Sequence, residues 1–148
     1  MKITPSGWSR ISPAIFYDDA SAAIDWLCRA FGFEVRLKVV GDGGRIEHSE
    51  LTYGDGLIMV GTAGGVRKTS TASPKSLGGK NTQSLMLYVD DVDAHCARAR
   101  AAGATISVEL ADHDYGPDHW SDRSYGAIDS EGHHWWFSQR IREQKAKE

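Results

Sequence analysis

The chain has 148 residues and a mass of 16.2 kDa, about one domain, and its 41% hydrophobic and 25% charged residues exclude a disordered or fibrous chain. A formal net charge of −3 argues against a nucleic-acid binder that works by phosphate neutralisation. No apolar run approaches the ~18 residues of a membrane helix, and the opening MKITPSGWSR lacks the core of a signal peptide. Cys28 and Cys96 form no C-x-x-C pair, so the expectation is two reduced thiols in a cytoplasmic protein, with neither membrane nor nucleic acid as a partner. Glycine is the outlier at 16 residues, which points to many tight turns between short elements.

In chain order, a short strand ends at Tyr17-Asp18-Asp19, and Asp19 or Ser21 caps a helix whose Ile24, Leu27, Cys28 and Phe31 share one face. Gly32 supplies its left-handed stop. Strands are predicted over about 33–39, 45–53 and 57–62, the last two joined by a tight turn at Gly54-Asp55-Gly56. Residues 63–82, AGGVRKTSTASPKSLGGKNT, read as an exposed connector or mobile flap. A second strand and helix occupy 83–106, with Asp90 or Asp91 as cap, a slimmer face of Val92, Cys96, Ala99 and Ala102, and Gly103 as stop. His95 is expected on the exposed side of that helix. Strands over about 104–109, 123–128 and 134–138 follow, the last two joined through Ser130-Glu131-Gly132. The loop 111–119, with His113 and His119, reads as polar and solvated, and 140–148 as a charged helix end or disordered tail.

These elements repeat. A shift of 71 residues brings Tyr17 onto Tyr88, Asp19 onto Asp90, Arg29 onto Arg100 and Gly32 onto Gly103, and a shift of 76 lays ELTYGDGLIMVG over GAIDSEGHHWWF. The chain therefore reads as one α+β domain, 1–148, made of two βαβββ modules over 11–62 and 83–139.

This pattern resembles the vicinal-oxygen-chelate superfamily, the glyoxalase I, bleomycin-resistance and extradiol-dioxygenase group. The resemblance is carried by Tyr17-Asp18-Asp19, the Ala-Ile-Asp-Trp-Leu helix ending Ala30-Phe31-Gly32-Phe33, Tyr88-Val89-Asp90-Asp91-Val92-Asp93, the run from Arg45 to Leu51, and Trp120-Ser121-Asp122-Arg123 leading into Asp129-Ser130-Glu131-Gly132-His133. It spans about residues 11–139. It implies mixed sheets that curl around a shared cavity, often in homodimers, so a homodimer is expected. Metal-dependent members carry His, Gln or Glu at four positions on the first and last strands of the modules, which fall here on Ser12, Met59, Ser84 and Trp136. A serine hydroxyl, a thioether and an indole do not suit a hard or borderline divalent ion. A slip of one residue offers only Gln83 and a slip of two only His134, against the three or so protein ligands a catalytic site needs. The expectation is no metal and no other cofactor.

His48 and Glu50 stand two apart on a strand and share a face with Ile46, while Glu47, Ser49 and Leu51 take the other. Facing a cavity, His48 and Glu50 form a pair able to accept a proton or hold a polar ligand group; otherwise they are solvent-facing or dimer-interface residues. Trp120, Trp135 and Trp136 cluster with Tyr125 and Phe137 near the C-terminus. Trp136 and Met59 at the mapped positions would make an apolar floor for a flat compound, with ordinary core packing as the alternative, which suits Trp135. Arg123 is either a clamp for an anionic group or a surface partner of Asp122 or Glu47. The resulting expectation is a metal-independent protein that binds or sequesters an aromatic or antibiotic-like small molecule through Met59, Trp136, Ser84, His48, Glu50, Trp120 and Arg123. The alternatives are an enzyme of the same superfamily, a lyase, isomerase or dioxygenase with a rearranged site using His48, Glu50 and His134, or an interaction module without a ligand.

Overall fold

The computed structural model describes residues 1–65 and 69–145; residues 66–68 of the predicted connector and 146–148 of the predicted tail lie outside the described residues. The chain divides into two compact units, Met1–Lys80 and Asn81–Glu148. Among the described residues no helix is long and apolar enough to cross a membrane.

The first unit contains β1 (Ala14–Tyr17), α1 (Ala20–Phe31), β2 (Glu34–Val40), β3 (Ile46–Tyr53) and β4 (Gly56–Thr62). Its sheet runs β1-β4-β3-β2, with β1 parallel to β4 and the other pairs antiparallel. Of the two candidate caps it is Asp19 that acts, its Oδ1 accepting the Ala22 N–H at 3.0 Å, and Gly32 closes the helix at φ 85°. The predicted apolar stripe buries Ile24, Leu27 and Phe31 over the sheet's Ile15, Leu51 and Val60. Each such side chain contributes roughly 1.5–3 kcal/mol when fully buried. Tyr53 pairs with Gly56, so Gly54-Asp55 is a two-residue turn, and Gly54 takes the positive φ that the turn requires.

The second unit repeats the plan with β5 (Ser84–Tyr88), α2 (Val92–Ala101), β6 (Thr105–Asp114), β7 (Ser121–Ile128) and β8 (His134–Arg142), ordered β5-β8-β7-β6 with β5 parallel to β8. Asp91 caps α2 through the Ala94 N–H at 3.0 Å. Behind the sheet lie Trp135, Phe137, Tyr125 and Ala127. The predicted βαβββ repeat and α+β class are thus the observed architecture.

Three local expectations change. His95 is buried, its Nδ1 2.6 Å from the Tyr125 hydroxyl and its ring against Phe137, because α2 needs a polar partner for that buried hydroxyl. The loop 111–119 is largely exposed as expected but half of it is strand: β6 runs to Asp114, which pairs with Ser121, and Asp114 meets Arg142 at 2.5 Å and Asp112 meets Arg123 at 3.0 Å. The tail extends β8 to Arg142. Within the connector, exposed over most of its described residues as expected, Ser73 is fully buried and accepts from the Ser76 N–H and hydroxyl. Cys28, half-buried, and Cys96, buried, form no disulfide.

Candidate functional site

In the first unit α1 covers one face of the sheet, and the chemistry lies on the other. Strand register sets the rows: Ala14 pairs with Met59, Met59 with Glu50, and Glu50 with Leu37. One step along, Phe16 pairs with Gly61, and His48 with Val39. Between the pairs Val39–His48 and Val40–Ile46 the register shifts, which leaves Glu47 as the extra residue of a bulge. The bulge breaks the alternation assumed from sequence: Ile46 turns into the core, and Glu47 joins His48. Ala14, Phe16, His48, Met59 and Gly61, with Glu47 at the edge, line a cavity of about 210 Å³.

Glu50 anchors its polar side. Its side chain is 8% exposed, and Oε1 stands 3.1 Å from His48 Nε2 while Arg36 brings Nε and Nη2 each to 2.7 Å from Oε2. The hydrogen bond from His48 is the largest influence on the Glu50 carboxyl and, with Arg36 adding to it, outweighs burial and holds it below the usual carboxylate range. Arg36 is itself fixed, stacked over Trp8 at 5.1 Å and donating to the Gly7 carbonyl.

In the second unit the face away from α2 carries the matching row Met86–Trp136–Gly126. Gly126 holds the place of Glu50 in this repeat, and the missing side chain admits the indole: a Cβ there would lie 3.1 Å from the Trp136 ring. His113 flanks Trp136, ring centroids 5.8 Å apart. Ser84 pairs with His134 at the exposed start of β5. Farther along, the Arg140 guanidinium lies 5.2 Å from both the Tyr88 and Trp120 rings, and its Nε is 2.6 Å from Asp122.

The structure therefore groups His48, Glu50 and Met59 in one unit, and Trp136 with Met86 in the other, with Ser84 two pairs earlier along the same strands. Trp120 sits with Arg140, Tyr115 and His119 instead. Arg123 falls outside the set. It points to the helix side, bound to Asp93 by two bonds of 2.9 Å and to Asp112 at 3.0 Å, partners other than the Asp122 or Glu47 considered from sequence. Those carboxylates hold the guanidinium and raise its pKa further.

Strand register also refines the four family metal positions. Met59 is matched by Ala14, and Trp136 by Met86, each two residues beyond Ser12 and Ser84. A methyl, two thioethers and an indole do not fit a hard divalent ion. Among the described residues no three His, Cys, Asp or Glu side chains group as metal ligands.

Residues 10–137 match the Glyoxalase/Bleomycin resistance protein/Dioxygenase superfamily. The chain belongs to this superfamily. It is 37% identical over 139 residues to the uncharacterized protein Mb0911c of Mycobacterium bovis, covering 90% of this chain and 84% of that one. Among solved structures it resembles TioX from Micromonospora sp. ML1 at 34% identity and a TM-score of 0.69, over 90% of this chain and 100% of TioX. TnmS3, an antibiotic binding protein from Streptomyces sp. CB03234, shares the fold at 20% identity and a TM-score of 0.61, over 90% and 97% of the two chains.

Sequence reasoning missed Arg36, Trp8, Phe16, Met86 and Gly126. Gly126 had a signal, a lone glycine inside a strand pattern. Arg36 had none, because it sits at a second register shift, between Val35 and Leu37, that sequence alternation does not show.

Proposed function

We propose that the protein binds and sequesters a flat, largely apolar small molecule, aromatic or antibiotic-like, without a metal. One observation carries this: at the positions onto which the family resemblance maps metal ligands stand Met59 and Trp136, with Ala14 and Met86 as their strand partners. Each pair makes an apolar surface within its own unit, a thioether in the first and a thioether with an indole in the second, suited to planar rings. The antibiotic-binding description of TnmS3, which shares the fold, accords with this reading. Native mass spectrometry of freshly purified protein tests it. The expected result is a homodimer mass carrying an organic adduct and no metal; near-stoichiometric Zn, Ni, Fe or Mn refutes it.

The 3.1 Å approach of His48 to Glu50 favours a second reading, an enzyme of the superfamily with an acid/base pair. Against it, a carboxylate held ionised by His48 and Arg36 is a weak proton acceptor. Metal-dependent turnover that His48→Ala abolishes would favour the enzyme.

A further inference from the structure

The cavity of the first unit narrows the ligand's chemistry, an inference that rests on the binding reading above. Its volume of about 210 Å³ lies below the ~300 Å³ at which drug-sized pockets begin, which suits one or two fused rings. Phe16, Met59 and Ala14 form apolar walls, and His48 forms the polar edge. Glu50, as a carboxylate, can only accept, so the 3.1 Å contact is Nε2–H donating to Oε1, and a neutral His48 ring then carries its lone pair at Nδ1. Nδ1 has no hydrogen-bond partner among the described residues and is not sealed from solvent. The nearby cations are committed, Arg36 to Glu50 at 2.7 Å and Arg45 to Glu47 at 3.3 Å and to the carbonyls of Thr62 and Ala63. The site thus offers His48 Nδ1 as the acceptor beside the apolar walls, the Glu47 carboxylate at the edge being ion-paired to Arg45, and neither arginine is left without a carboxylate.

We infer that His48 Nδ1 accepts a hydrogen bond from a hydroxyl or N–H on the rim of an uncharged aromatic ligand seated against Phe16 and Met59. The site selects phenol-like or aryl N–H donors over their methylated or anionic counterparts. Calorimetric titration at about pH 8 with 1-naphthol, 1-methoxynaphthalene and 1-naphthoate tests this. Naphthol is expected to bind about five- to tenfold more tightly than its methyl ether, and naphthoate most weakly. In His48→Phe, which keeps a ring and loses the acceptor, the preference for naphthol falls to within about twofold. Imidazole ¹⁵N spectra of the unmodified protein read the same contact without a variant: naphthol shifts the His48 Nδ1 resonance and methoxynaphthalene does not. Equal affinities, a preference that survives in His48→Phe, or an unmoved Nδ1 resonance overturns the inference and leaves small-molecule binding standing. Failure of both neutral probes to bind overturns the binding reading as well.

Discussion

Removing the Asp129 carboxyl should destabilise the second unit and disturb the start of β8, on which Trp136 stands. Asp129 is buried in the turn between β7 and β8, where Oδ1 accepts the N–H of Glu131 at 3.1 Å and of His133 at 3.0 Å. Its Oδ2 accepts the indole N–H of Trp135 at 2.9 Å. Each bond contributes about 0.5–1.5 kcal/mol net, and donors left buried without a partner cost more. Asp129→Ala is therefore expected to lose about 3 kcal/mol, or roughly 6–12 °C in Tm for a chain of this size. Asp129→Asn keeps an acceptor for the two backbone groups but sets an NH2 against the indole N–H, so its loss should be intermediate. Thermal unfolding followed by circular dichroism measures both. A Tm within about 2 °C of the parent for Asp129→Ala would refute the turn's assigned role. An unchanged Asp129→Asn would refute the contribution of the indole bond.

Gly126→Ala places a Cβ 3.1 Å from the Trp136 ring and 3.0 Å from Ser107 Oγ; about 1–3 kcal/mol of overpacking is expected, seen as a lowered Tm and shifted tryptophan emission. The depressed Glu50 pKa makes its share of stability complete above the ordinary carboxylate range near 4.5 and lost as pH falls through the folded value. The stability difference between parent and Glu50→Gln should accordingly shrink as urea unfolding is repeated from pH 6 down to about pH 3. Arg123→Ala, which breaks partly exposed ion pairs, should move Tm by a few degrees at most and leave the affinity for a planar probe unchanged.

The repeat was legible because its punctuation is local chemistry. Asp19 and Asp91 cap, Gly32 stops the first helix, and the apolar stripe of α1 has helical period. Where partners lie far along the chain, the residues alone misled. His95 looks like an exposed helix residue until Tyr125, 30 positions away, supplies its bond. Asp112 and Asp114 are exposed, as the sequence suggests, but their ion pairs with Arg123 and Arg142, from β7 and β8, could not be read from it. The strand faces of Met59 and Trp136 were legible because alternation holds on β4 and β8. Glu47 and Arg36 were not, because one-residue register shifts on β3 and β2 reverse the faces that alternation assigns. The change from Glu50–Met59 to Gly126–Trp136 shows one repeat frame carrying two chemistries, a polar anchor in one unit and an aromatic plate in the other.

Calorimetric titration of chelator-dialysed protein with a planar aromatic probe tests metal-free binding most directly. Saturable binding is expected, unaltered when Zn, Ni, Fe or Mn is restored and weakened when Met59 is replaced by alanine. Binding that vanishes on dialysis and returns only with one of those ions would contradict it.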